Sequence, residues 1–244
     1  MKALITTAGL GTRLEKMRHT NKCLLEVGDR SILRRSLDSL HQHGIHEVYV
    51  VTGHFAEKVE KEVVGKATCL FNPFYKVSGI VISIWFAKSF LYKEDFIFLT
   101  GDVVYDSGLI DKILKIKKDI VIPMEKKNEY DKEDSKVIAR DGKVESMGKR
   151  LPLSKVSGEF CCIAAFNNRG SKHLFDKIDS FLTRGKLKTN LMAVFNELIA
   201  DGVHLTPIDV TGIPRIEIDF LKDLEDARKR VLPLIDSKPV SFYR

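Results

Sequence analysis

The chain has 244 residues, 44% hydrophobic and 30% charged, with a formal net charge of +7. That length and balance suit an α/β chain with a sizeable core and exclude disordered and fibrous classes. No apolar run approaches the roughly 20 residues of a membrane span. Basic residues alternate with acidic ones, as in KKNEYDKED at 126–134, so the positive surplus suits an anionic partner that is not a nucleic acid.

Met1-Lys2 leads into a short apolar run that ends at Thr6, unlike a secretory leader, so a cytoplasmic protein is expected. Cys23, Cys69, Cys161 and Cys162 show no CxxC spacing and read as free, mostly buried thiols, with no zinc site. Residues two apart on a helix face different ways. His41, His43 and His46 therefore read as solvated side chains at a helix end and turn.

In chain order, Ala3-Leu4-Ile5 predicts a buried first strand feeding Ala8-Gly9-Leu10-Gly11-Thr12-Arg13-Leu14. Glycines admit positive φ and a close backbone approach. Successive amides can form an anion nest, and Arg13 with Lys22 adds full charge for phosphates. Residues 31–43 have helical apolar spacing, with Ser31 as N-cap and Gly44 as stop. A strand at 46–52, a helix at 55–64 and a strand at 67–71 follow, an order that calls for a parallel sheet. Residues 72–79 form a loop, 80–90 a helix carrying Trp85 as a core residue, and 95–100 a strongly apolar strand ending in Gly101-Asp102. A helix at 107–117, a strand at 119–123 and a charged surface loop at 125–134 come next.

Asp141-Gly142 marks a hairpin between strands 135–140 and 143–148. One strand spans 159–166, helices span 171–182 and 190–200, a strand spans 203–208, and Asp219 opens a last helix reaching about Ile235. A single domain over 1–244 is expected, with a nucleotide part at about 1–124, an acceptor part at about 125–216 and a C-terminal part at about 217–244. The fold class is α/β, a Rossmann-like, mostly parallel mixed sheet flanked by helices, with the inserted hairpin on the acceptor side.

Ligands of such sheets gather at the carboxyl ends of the parallel strands. The glycine loop, Gly101-Asp102 and the loop from Asn72 all end there. Asp102 alone reads equally as a helix cap. Glu217-Ile218-Asp219 adds two carboxylates on one side of an extended segment. Magnesium takes few protein carboxylates together with phosphate oxygens, so Asp102 and Asp219 are candidate Mg²⁺ ligands.

Gly9-Leu10-Gly11-Thr12-Arg13-Leu14 with Lys22, Gly101-Asp102 and Glu217-Ile218-Asp219 ahead of Leu221-Lys222-Asp223-Leu224 resembles the sugar-phosphate nucleotidyltransferases. Within them it is most similar to the small cytidylyltransferases acting on phosphocholine, inositol 1-phosphate or aminoethylphosphonate. The resemblance runs over essentially the whole chain and implies the nucleotide-diphospho-sugar transferase fold. It implies a triphosphate cradle at Ala8, Gly9, Gly11, Thr12 and Arg13, catalytic roles for Lys22 and Arg13, and a nucleobase beside Ser78-Gly79. Asp102 and Asp219 would hold magnesium. Lys136, Lys149, Glu159 and Glu217 fall where the family builds its acceptor pocket, and Lys149 reads equally as a solvated hairpin lysine.

The pattern departs from the family at Asn21, which replaces a common proline and should loosen the loop slightly. It departs at Thr6-Thr7, and at Ser78-Gly79, where Asn or Gln is usual. The implied reaction is attack of an acceptor phosphate or phosphonate on the α-phosphorus of CTP, releasing pyrophosphate. The nucleophile is already anionic, which fits the lack of a Ser-His-Asp or Cys-His set. Arg184, Lys186 and Lys188 near Asn190 disfavour a purely cationic head group such as choline. The runner-up is uridylyl or thymidylyl transfer to a sugar 1-phosphate. A non-catalytic nucleotide-binding module and a dinucleotide oxidoreductase are further alternatives, and the absent third glycine argues against the latter. A homodimer is allowed.

Overall fold

The computed structural model describes residues 1–13 and 19–237; Leu14 of the glycine-loop motif and residues 238–244 of the C-terminal part lie outside them. The first half runs β1 (Lys2–Thr6), β2 (Glu26–Val27), β3 (Arg30–Ser31), α1 (Ile32–Gln42), β4 (Val48–Thr52), α2 (Ala56–Val63), β5 (Thr68–Phe71), α3 (Ile80–Phe86), α4 (Lys88–Leu91) and β6 (Phe96–Thr100). The second half runs β7 (Val103–Tyr105), α5 (Gly108–Leu114), β8 (Ile120–Glu125), β9 (Lys136–Arg140), β10 (Lys143–Gly148), β11 (Gly158–Phe160), β12 (Ile163–Phe166), α6 (Asn168–Thr183) and α7 (Leu191–Ala200). It ends with β13 (Leu205–Asp209), β14 (Arg215–Glu217), α8 (Leu221–Asp226) and α9 (Leu232–Asp236).

Strands β5, β4, β1 and β6 lie side by side and parallel. All five residues of β4, VYVVT, are buried, as a strand covered by helices on both faces requires. Beyond β6 the sheet is mixed: β12 and β8 continue it, β11, β9 and β10 extend it, and β13 lies parallel to β8. Helix α1 is started by the Ser31 side chain, which accepts from the Arg34 N–H, and it buries Ile32, Leu33, Leu37 and Leu40. Phe96, Phe98 and Phe166 are fully buried at the centre. Each such side chain stabilises the fold by about 1.5–3 kcal/mol through transfer from water.

Several boundaries differ from the sequence reading. The expected strand at 159–166 is two strands, because Cys162 takes φ +59° and kinks the chain. Its first part pairs with β9 and β8, and its second with β8 and β6. The helix at 80–90 breaks at Ala87 into α3 and α4. The last helix begins at Leu221, after Asp219. The Asp223 carboxylate caps its start by accepting from the Asp219 and Phe220 N–H groups. The helix widens into a π-turn at Ala227–Val231 just before Pro233, which has no N–H to continue the ladder.

Trp85 is not core. It is 38% exposed, and its indole N–H donates to Asp179. His43 is not solvated either; its ring is largely buried, with Nδ1 2.7 Å from the Ser39 carbonyl and Nε2 3.2 Å from Asp111.

Candidate active site

The first strand delivers the glycine loop to the carboxyl edge of the sheet, and Gly11 there has φ +62°, a conformation that favours glycine. Lys22 opens a short 3₁₀ turn whose N-cap is Asn21. Asn21 is buried, donates to the carbonyls of Thr7 and His54 at 2.7 and 2.8 Å, and accepts from the Cys23 N–H. The expected loosening at Asn21 is thus reversed, since its side chain ties the turn to β1 and to the segment after β4. Thr7 sends its hydroxyl to the Val51 carbonyl at 2.9 Å, which fixes the root of the loop.

Asp102 follows β6, and its placement beside the C-terminal carboxylates depends on a small ribbon. β14 pairs antiparallel with β7, Glu217 opposite Val103, and the Ile218 N–H donates to the Asp102 carbonyl at 2.8 Å. Ile218 is fully buried in a cluster with Val104 and Leu224, so its neighbours Glu217 and Asp219 turn the other way. Asp102, Glu217 and Asp219 each offer an oxygen within 4.8 Å of the others.

Cations meet these carboxylates. Lys22 Nζ lies 2.7 Å from Asp219 and 3.5 Å from Asp102, and Arg13 Nη1 donates to Asp219 at 2.6 Å. Burial works against the Lys22 ammonium, but Asp102 and Asp219 outweigh it and hold its pKa above the ordinary lysine value. Burial, then Asp102 and Asp219, pushes the Glu217 carboxyl up to about 7, and the Cys162 thiol donates to it at 3.1 Å.

The site also fits a divalent cation. Asp102 Oδ1 is buried with no hydrogen-bond partner among the described residues. Three convergent carboxylates are the hard oxygen donors that magnesium selects.

A cavity of about 240 Å³ adjoins these groups. Its lining includes Ala8, Gly9 and Gly11 of the glycine loop, Lys22 and Asp102, and a wall segment of Ser78, Gly79 and Ser83. Buried Asn72 builds that wall by donating to Ser83 Oγ at 3.1 Å and accepting from the Phe74 N–H. A Cβ on Gly79 would fall 2.4 Å from the Thr189 carbonyl oxygen, so only glycine lets the wall close against residues 187–189.

Thr12 is exposed, and Arg13 reaches back from the loop's outer end to Asp219 and Glu133. Lys149 pairs with Glu133 at 2.8 Å, near the same place. Lys136 and Glu159 do not join this group. Lys136 is 2% exposed, and its ammonium donates to the Asp131, Asp134 and Lys149 carbonyls. Glu159 is buried between Lys127 and Arg215 at 2.8 Å each. Arg184 and Lys186 both pair with Glu197, at 2.6 and 3.7 Å, so one carboxylate offsets only part of their positive charge.

Sequence reasoning missed Asn72, Cys162, Glu133 and Arg215. Asn72 opened a loop recognised by composition, but nothing local marked its buried amide. Cys162 and Arg215 pair with residues 55 and 56 positions away, and Glu133 bridges Lys149, 16 positions on, to Arg13, 120 positions back, which spacing cannot disclose.

A glycine loop, two cations and an acidic trio thus meet at the carboxyl edge of a parallel sheet in an α/β protein. Residues 3–189 match the MobA-like NTP transferase domain family, and the chain belongs to it. It is 28% identical over 135 residues to the CTP:phosphoglutamine cytidylyltransferase of Campylobacter jejuni, covering 52% of this chain and 53% of that one. It is 30% identical over 170 residues to the bifunctional IPC transferase and DIPP synthase of Archaeoglobus fulgidus, covering 67% and 31%. The matches thus span about half or less of these relatives' own lengths. The inositol-1-phosphate CTP transferase of T. maritima superposes with a TM-score of 0.76 at 15% identity, covering 94% of this chain and 97% of that one. That similarity shows the nucleotide-diphospho-sugar transferase fold. No helix among the described residues is long and apolar enough to cross a membrane.

Proposed function

We propose that the protein is a Mg²⁺-dependent cytidylyltransferase. It moves CMP from CTP to a small phosphorylated alcohol, polyol, sugar phosphate or phosphonate and releases pyrophosphate, with one domain carrying both halves of the site. The observation that carries this reading is the convergence of Arg13 and Lys22 on Asp219, beside Asp102 and at the edge of the glycine-lined cavity.

An acceptor oxygen forms a bond to the α-phosphorus as the bond to the β-phosphate oxygen breaks, and the electron pair leaves with pyrophosphate. Two anions must be brought in line, which is a task of positioning and charge neutralisation. Lys22 would turn from Asp219 to the phosphates, and Arg13 would grip them by its planar fork. The backbone at Gly9 and Gly11 lets the triphosphate come close. Ser78 and Gly79 would face the base across the cavity, with Asn72 holding that wall. Asp102 and Asp219, with Glu217 beside them, would hold Mg²⁺, which when bound neutralises charge on phosphate oxygens.

The test is pyrophosphate release from each nucleoside triphosphate against a panel of phosphorylated alcohols, sugar phosphates and phosphonates. CTP is expected to support turnover with a phosphate- or phosphonate-bearing acceptor. Failure of CTP with success of UTP or dTTP on a sugar 1-phosphate would replace the base assignment. Release from no nucleotide in the presence of Mg²⁺ would leave only a binding module.

A further inference from the structure

Beside the site, one carboxylate oxygen holds Arg13, which the proposed mechanism uses, together with the hairpin lysine Lys149. Glu133 Oε2 lies 2.7 Å from Arg13 Nη2 and 2.8 Å from Lys149 Nζ. These contacts complete a chain of ion pairs from the hairpin to β6, running Lys149, Glu133, Arg13, Asp219, Lys22 and Asp102. We propose that Glu133 is a built-in stand-in for a substrate oxyanion. It holds Arg13 and Lys149 together before substrate arrives and is displaced by the acceptor's phosphate or phosphonate. The nature of the displacing anion rests on the transferase reading above.

The placement of Glu133 is constructed. Its N–H and that of Asp134 both donate to Asp131 Oδ1, at 2.7 and 3.0 Å, a tight turn that presents the side chain. The buried ammonium of Lys136 donates to the carbonyls of Asp131 and Lys149, tying together the two segments that carry Glu133 and Lys149. Lys136 is therefore a positioning residue for this pair.

The contacts are also made to be broken. The side chains of Arg13, Glu133 and Lys149 are 40%, 46% and 37% exposed, so water competes for each ion pair and each is weak. An incoming phosphate brings up to two charges and several oxygens against one carboxylate, and Arg13 and Lys149 can both donate to it. Lys149 and then Arg13 hold the Glu133 carboxyl below the usual range, so the latch stays an anion at neutral pH.

The test uses the full chain without nucleotide, with inorganic phosphate as the probe and titration calorimetry as the readout. Glu133→Gln removes the competing charge at an exposed position and is expected to tighten phosphate binding about threefold to tenfold. Adding Lys149→Met to Glu133→Gln should abolish that gain. Unchanged or weaker binding in Glu133→Gln, or a gain that survives loss of Lys149, would overturn the latch. Because no turnover is involved, the two readings fail separately. The expected phosphate pattern without nucleotidyl transfer keeps the latch and removes the transferase, while active transfer with a flat phosphate response does the reverse.

Discussion

Lys22→Ala is the sharpest perturbation of the site. The Lys22 side chain is 15% exposed and faces Asp219 at 2.7 Å and Asp102 at 3.5 Å. Its removal leaves those carboxylates and Glu217 facing one another without the ammonium, at a cost of about 1–3 kcal/mol. Against a total stability of roughly 5–15 kcal/mol, the variant should still fold. The effect on chemistry is larger. A preorganised donor that meets developing charge in a dry site contributes about 2.7–4 kcal/mol, so turnover should fall about 10²–10³-fold. The lysine stem also lies under the glycine loop, where a Cβ on Gly11 would sit 3.3 Å from Lys22 Cγ. Lys22→Met keeps that stem, and a matching loss in both variants would assign the effect to charge. Circular dichroism and a urea midpoint check the fold, and pyrophosphate release at saturating CTP and acceptor gives the rate. A folded Lys22→Ala protein turning over within about threefold of the parent would refute the assignment.

Asp219→Ala removes the shared partner of Arg13 and Lys22 and one of the three convergent carboxylates. Turnover should fall at least about 10²-fold, and a Mg²⁺ titration of the remaining activity should shift to higher concentration. Gly79→Ala would drive a methyl group against the Thr189 carbonyl, so the CTP KM should rise and the thermal midpoint should fall, both readable in one preparation. Asn21→Ala deletes three hydrogen bonds of a buried amide and should cost about 1–3 kcal/mol in urea unfolding. Burial and two neighbouring carboxylates raise the Glu217 pKa from 4.5 to about 7. Its contribution to stability is then fully present below pH 4.5 and is lost as pH rises to about 7. Urea midpoints of the metal-free protein should therefore fall across that window, and Glu217→Gln should flatten that fall.

Periodicity and turn chemistry made the first half of the fold legible. Ser31 and Gly44 bracket α1 and the buried run VYVVT forms β4, because each depends on neighbours a few residues apart. The kink at Cys162 escaped because a cysteine carries no turn signal, and its left-handed backbone is held by pairing to distant strands. The Trp85 assignment failed for a related reason: a large aromatic side chain on an apolar helix does not say which face meets the sheet.

By itself the sequence determined the chemistry on offer: a glycine loop with Arg13 and Lys22, a strand ending in Asp102, and the carboxylates Glu217 and Asp219. Only the tertiary structure decided how they meet. The β7–β14 ribbon brings residues more than 100 positions apart into one trio, and Asn21 pins the lysine that faces it. It also separated the hairpin lysines, turning Lys136 inward to backbone carbonyls and Lys149 outward to Glu133. A side chain's charge is local, but its partner is chosen by the folded chain, where burial and a few ångströms set which ion pairs form.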